Sequence, residues 1–271
     1  MAAPNSITVP QLLRLIGTPA CPVIVDVCLD ADFADDPFLI PGAIRHPFDD
    51  YAGLRARLED RRCVIVCQKG RKLSQGVVAH LRSDGHAAEY LEGGMYAWRD
   101  HPDAPRIPAN AIPAPMDGAT LWVTRHRPKI DRVACPWLLR RFVDAQARIL
   151  FVAPSEVMDV AKRFGATPFD TAEGEWSHEG DLCTFDTMLD RLGLRTEALD
   201  RLATVIRAAD TNRHDLAPEA AGLLAISVGL SRQYRDDYDQ LAAGLPLYDA
   251  LYRWARDGHR EGHVHPTERQ A

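Results

Sequence analysis

The chain has 271 residues, 46% hydrophobic and 26% charged, with a formal net charge of −6. That length suits two compact domains of roughly 100 to 150 residues each, and the composition is that of a packed globular protein, which excludes wholesale disorder. Residues 1–100 carry 11 Lys and Arg against 13 Asp and Glu, and the remainder carries 21 against 25, so neither half has the positive excess of a general nucleic-acid binder.

No apolar run approaches the roughly 18 residues of a membrane span, and MAAPNSITVP lacks a basic start followed by an apolar stretch. The expectation is a cytoplasmic protein with no membrane or nucleic-acid partner. The cysteines Cys21, Cys28, Cys63, Cys67, Cys135 and Cys183 form no CxxC pair, which points to reduced thiols.

In chain order, residues 10–15 read as a helix, 23–27 (VIVDV) and 62–67 (RCVIVC) as strands, 73–82 as a helix and 88–91 as a strand. This alternation predicts an open parallel α/β sheet. Residues 101–115 (HPDAPRIPANAIPAP) hold five prolines, favouring an extended polyproline conformation over a packed element. The domain expectation is therefore 1–100, a Pro-rich linker at 101–118, a second domain at 119–258 and a polar, mobile tail at 259–271.

In the second half, 121–125 and 147–152 read as strands and 131–145 as a helix that Pro136 should kink or start late. Ser155 is placed to cap a helix ended by Gly165, and Thr196 to cap another. Further helical stretches run over 218–230 and about 234–256, so this half is expected to be helix-rich α+β.

Cys67 closes the strand CVIVC and precedes QKGRKLS, a Gly-containing loop leading into a helix. There the amides of Gln68, Lys69, Gly70, Arg71, Lys72 and Leu73 could face the sulfur, while the helix N-terminus and the cations Lys69, Arg71 and Lys72 favour thiolate. The competing reading is a buried strand-end thiol. Asp26 could polarise the loop, but a strand-end acid more often anchors a turn. His46 and His80 are assigned to packing.

VIVDV, IPGAIRHPF (40–48), CQKGRKLS and EYLEGGMYAW (89–98) together resemble the rhodanese family over the whole first domain. The resemblance implies that Cys67 takes sulfane sulfur as a persulfide, that the loop Cys67 to Lys72 holds the outer sulfur, and that a thiol acceptor removes it, with no cofactor. Cys28 stands where many relatives have Arg, and Lys72 and Leu73 stand where many have Arg and Ser, which leaves the donor open. The related phosphatase loop ends in a phosphate-gripping arginine, where this chain has Leu73, so phosphate-ester chemistry is the weaker reading.

The polar candidates of the second half are Arg125, Asp131 and Arg132, then His178, Cys183 and Asp186, then Asp210, His214 and Asp215. His178 with Asp186 and Asp210 could supply a zinc, iron or manganese site, against a plainer reading of capping aspartates and surface histidines. WVTRHRPKIDRVACPWLLRRFVD (122–144), SHEGDLCTFD (177–186), ADTNRHD and LPLYDALYRWARDG (245–258) resemble the C-terminal domain of ChrB-type chromate-resistance proteins. This resemblance implies a metal or oxyanion site, with Arg125, Arg127 and Arg132 as ligands for a chromate-like oxyanion. Regulatory members carry a different N-terminal region tied to DNA control, so repressor function does not transfer. His259, His263 and His265 invite a metal-tail reading, set against a plain polar end, and Tyr234, Tyr238, Tyr248, Tyr252 and Trp254 are assigned to packing.

The combined expectation is a thiosulfate-type sulfurtransferase using a small-molecule donor and a thiol acceptor, fused to a metal- or oxyanion-binding domain linked to chromate or oxidative stress. The alternatives are a non-catalytic chromate or redox sensor and a metal-dependent enzyme in the second domain.

Overall fold

The computed structural model describes residues 5–172 and 174–262. The first half runs β1 (Ser6–Ile7), α1 (Val9–Leu13), β2 (Val23–Asp26), α2 (Asp30–Asp35), β3 (Phe38–Leu39), β4 (Ala43–Arg45), α3 (Tyr51–Leu58), β5 (Cys63–Val66), α4 (Lys72–Ser83), β6 (Ala88–Leu91) and α5 (Gly94–Arg99). Its sheet has the order β1-β6-β5-β2-β4 with all neighbours parallel. The central strand reads CVIV because both faces are covered, as parallel sheets require. One face sends Val25, Ile65 and Cys67 into a core with Leu54, Leu58, Val77, Val78 and Leu81 of α3 and α4.

The opposite face does something the sequence did not announce. Ile24, Val64, Val66 and Leu91 join α1, Trp98 and the aromatic core of the second half in one continuous apolar cluster. The Pro-rich segment contributes to it. Residues Ile107–Pro108 form β7, antiparallel to β3, with Ile107 buried. Trp98 Nε1 donates to the Pro105 carbonyl (2.9 Å), and the Arg106 guanidinium pairs with Asp36 and lies over the Phe38 ring. The expected free polyproline spacer is thus a packed strap, because Ile107 gives it an apolar anchor between the prolines.

The second half comprises β8 (Leu121–Arg125), α6 (Asp131–Leu138), β9 (Arg148–Val152), α7 (Val157–Phe164), β10 (Thr167–Pro168), α8 (Thr184–Arg191), α9 (Glu197–Asp210), α10 (Ala220–Gln233) and α11 (Asp237–Arg253). Its small parallel sheet has the order β10-β8-β9, with α7 on one face and the remaining helices on the other. Pro136 neither delays nor ends α6; after it the chain widens into a π-turn over Leu139–Val143, with Asp144 N donating to the Leu139 carbonyl (2.8 Å). Ser155 does not cap α7, because it falls in a preceding 3₁₀ turn and binds Glu156. Thr196 and Gly165 cap as expected. No described helix is long and apolar enough to cross a membrane.

The π-turn is where the halves meet. The Phe142 carbonyl accepts from Gly42 N, and the Phe142 and Tyr252 rings lie where a Cβ on Gly17 (φ 77°) would sit, the nearest carbon 2.3 Å away. A residue larger than glycine would clash there and would also be strained at that φ. Trp137, Phe142, Tyr248 and Tyr252 pack as a ring cluster. Phe142→Ala should therefore cost about 3–5 kcal/mol, and thermal unfolding followed by calorimetry should stay a single transition of both halves. Two separated transitions, with only one shifted, would contradict the shared core.

Candidate functional sites

Cys67 lies just past the end of β5, 5% exposed, with its Sγ 3.1 Å from Ser74 Oγ in the first turns of α4. The loop is held from behind: the Cys67 carbonyl accepts from Met95 N (3.1 Å) and Gly70 N, and the Gln68 carbonyl accepts from Tyr96 N (3.1 Å). Gly94 (φ 60°) makes this possible, since a Cβ there would lie 2.0 Å from the Cys67 carbonyl oxygen. The Gly93-Gly94 turn is thus a backbone cradle for the cysteine loop. Lys69 reaches over the Tyr96 ring, Arg71 and Lys72 are exposed, and Leu73 packs against the α3/α4 core. Ser74 was not singled out in the sequence, although its place seven residues after the cysteine on a helix start was visible.

Around the loop, Asp26 Oδ1 accepts from Cys28 N (2.8 Å), the turn-anchoring role favoured for it. Burial first, then the neighbouring Asp26 carboxylate, pushes the Cys28 thiol far above its ordinary value, so Cys28 stays protonated. His46 Nε2 bonds the Asp50 carbonyl (2.8 Å) and the His80 ring packs tilted against Tyr51 with centroids 4.3 Å apart, both packing roles.

In the second half four side chains converge. His178 Nε2 stands 3.5 Å from Asp131 Oδ2, 3.5 Å from Asp170 Oδ1 and 3.4 Å from Asp210 Oδ2. Each comes from a different element: Asp131 opens α6, Asp170 follows β10, His178 precedes α8 and Asp210 ends α9. Pairing of β10 with β8 brings Asp170 beside Arg125, and Phe169 N donates to the Val123 carbonyl. Asp131 is fixed from the far side, where its carboxylate accepts from Thr184 N (2.7 Å) and Phe185 N (3.1 Å) at the α8 N-terminus. Those amides and the helix dipole favour its negative charge.

The backbone is strained at the same place. Ile130, preceding Asp131, has φ 40°, and Asp170 has φ 51°, conformations that cost a β-branched or ordinary residue energy and cluster at working sites. Burial pushes the Asp131 carboxyl up to about 6, against the pull of His178 and with the help of Asp210 and Asp170. Burial would likewise raise Asp170, but His178, Arg125 and Arg132 together hold it below its ordinary value. The three carboxylates push His178 up to about 12. Here the His178 imidazolium and two guanidinia balance three carboxylates.

Two expected roles are corrected. Asp186 is fully buried but points elsewhere: it accepts from Arg207 Nη1 (2.7 Å), lies 3.5 Å from Arg195 and caps its own helix through Cys183 N. Its i+3 position from a helix start is a capping position, and that local geometry wins. Arg125 and Arg132 both grip Asp170 Oδ2, at 2.8 and 3.1 Å. Arg127 turns away to the Ser231 and Tyr234 carbonyls. Asp215 pairs with Arg213 on the surface. His263 and His265 lie outside the described residues. Asp131 was a candidate in the sequence but was left out of the ligand set; Asp170 was missed, and only its strand pairing reveals it.

The parallel sheet with a cysteine loop at its strand ends defines the first half as a rhodanese-like domain, and residues 8–101 match the rhodanese-like domain family. Residues 122–255 match the family described as ChrB, C-terminal domain. The chain thus matches a rhodanese-like domain followed by a ChrB C-terminal domain. It is 27% identical to Protein ChrB of Cupriavidus metallidurans over 216 residues, covering 75% of this chain and 65% of that protein, so it spans less than two thirds of that relative. A rhodanese-like domain protein from Staphylococcus aureus is 34% identical over 36% of this chain and 94% of its own, with a TM-score of 0.32. A Staphylococcus saprophyticus protein is also 34% identical, over 34% of this chain and 89% of its own, with a TM-score of 0.30.

Asp186→Asn should leave the His178 cluster in place while destabilising the fold by about 3 kcal/mol, because Arg207 loses a buried partner. Chemical denaturation checks the cost. An unchanged midpoint would return Asp186 to the site.

Proposed function

We propose that the chain is a sulfurtransferase in which Cys67 alternates between thiol and persulfide, joined to a domain that holds a divalent cation. The sulfur half rests on the Cys67–Ser74 contact at the strand-to-helix junction. The Ser74 hydroxyl can donate to the Cys67 thiolate, and the N-terminus of α4 adds favourable potential. Cys67 thiolate attacks the outer sulfur of a sulfane donor, an S–S bond forms on Cys67, and the donor's remaining fragment leaves with the bonding electrons. An acceptor thiolate then attacks the outer sulfur, forms its own persulfide and returns Cys67 as thiolate. No cofactor is needed for either transfer.

Mixing the protein with thiosulfate or a persulfide donor should add one sulfur atom to wild type and none to Cys67→Ser, read by intact-protein mass spectrometry. Ser74→Ala should slow transfer about tenfold, the equivalent of one hydrogen bond to a charged sulfur. A wild type that never takes up sulfur from any sulfane donor would instead favour a sensor whose thiol reports redox state.

The cation reading rests on one geometric observation. The three His178 separations of 3.4 to 3.5 Å are too long for good hydrogen bonds. They equal the ligand-to-ligand edge of a tetrahedron with bonds of about 2.1 Å, which is about 3.4 Å. Asp131, Asp170 and His178 present ligand atoms all within 4.8 Å of one another, while Asp210 stands outside that group, 3.4 Å from His178 Nε2. One imidazole and two carboxylates suit zinc, iron or manganese, and a bound cation would supply Lewis acidity to a water or oxyanion. A chromate-like oxyanion would then be drawn to the cation, since Asp170 already engages Arg125 and Arg132. The link to chromate comes from the resemblance to ChrB.

Purified protein reconstituted with zinc, iron or manganese should hold near-stoichiometric metal by elemental analysis. His178→Ala and Asp170→Asn should each lose it, while Asp186→Asn keeps it. Metal retained in His178→Ala, or lost equally in Asp186→Asn with the fold intact, would overturn the ligand set.

A further inference from the structure

Helix α10, AAGLLAISVGLSRQ, carries its apolar surface on the wrong side for a helix belonging to a finished domain. It turns Ala220, Leu223, Ser227 and Ser231 inward. Outward it presents Ala221, Gly222, Ala225, Ile226, Val228 and Gly229, with Ile226 48% and Val228 40% exposed. No charged residue occurs from Ala220 to Ser231. A surface helix normally shows the reverse pattern.

The two glycines sharpen the point. Gly222 and Gly229 are seven residues apart, two turns along one side, and a Cβ on either would meet nothing within 4 Å. Each costs the helix roughly 0.5–1 kcal/mol relative to alanine, yet nothing inside this chain needs the missing side chain. Glycine at such a position allows the backbone of another helix to come close.

The charges at the ends then select the partner. Glu219 precedes the helix and Arg232 lies in its last turn; both are exposed, and among the described residues neither side chain has an ion-pair partner. We propose that α10 is a self-docking surface that packs antiparallel against α10 of a second copy of this chain, about a two-fold axis between Ala225 and Ile226. That axis sets Gly222 level with the second copy's Gly229, and Glu219 level with its Arg232, twice over. A parallel pairing would set Glu219 beside Glu219 and is disfavoured. The surface is self-complementary, as an isologous dimer requires. The helix is about 21 Å long, which makes a small interface and a concentration-dependent dimer.

Sedimentation equilibrium of the full chain tests this. The wild-type mass should rise from 30.1 kDa toward twice that value with concentration. Gly229→Arg, whose side chain enters open space and so leaves the monomer folded by circular dichroism, should weaken association at least about tenfold. Glu219→Arg should also weaken it, and adding Arg232→Glu to that variant should restore it. A wild type that stays at monomer mass, a dimer indifferent to Gly229→Arg, or a double variant no better than the single one would each overturn the proposal, and the first would assign the face to a different protein.

Discussion

The second half is organised by a buried carboxylate. Asp131 opens α6, yet its oxygens are spent on the first amides of α8, so the starts of two helices are fixed to each other by one side chain. Burying an ionised group is costly unless it is hydrogen-bonded and paired. Here the α8 amides supply the bonds and His178 the countercharge. Thr184 reaches Asp170 from the same helix end, and Asp170 in turn holds Arg125 and Arg132. Removing Asp131 would leave helix amides, an imidazole and a carboxylate network without their shared partner. The strain at Ile130 and Asp170 is tolerated because this network over-determines both positions.

The two halves are chemically distinct but mechanically joined. The sheet face opposite α3 and α4 is covered in part by the second half, and the Pro-rich strap is stitched to β3 rather than left free. The candidate site of each half sits on its own strand ends: Cys67 at the end of β5, Arg125 and Asp170 at the ends of β8 and β10. This is the placement that parallel sheets give to ligands in general.

The sequence made the first half legible because its signals are local. An apolar strand, a glycine-bearing loop and a helix start lie side by side in the chain, so Cys67 stood out by position, and the four rhodanese-like motifs favoured it over a buried strand-end thiol. Ser74 lies in the same local frame, but no pattern marks its hydroxyl. The second site was harder because its four side chains come from four elements. His178 and Asp210 were recognisable as polar residues without an obvious duty. Asp186 was as attractive as either, yet its spacing from Cys183 makes it a cap, and Arg207, twenty-one residues on, claims it. Asp170 carries no spacing signal at all: only the β10–β8 register brings it to Arg125. The strap was misread for the opposite reason, since the prolines are conspicuous and the single buried Ile107 between them is not.

The account stands on the identity of the atoms around the proposed cation in the second half. X-ray absorption of the zinc-loaded full chain would read them directly. The predicted first shell is nitrogen and oxygen only, at about 2.0–2.2 Å, with the imidazole signature lost in His178→Ala. A sulfur shell at about 2.3 Å would mean that buried Cys135 or Cys183 binds the metal in place of the Asp131–Asp170–His178 set, and would contradict it.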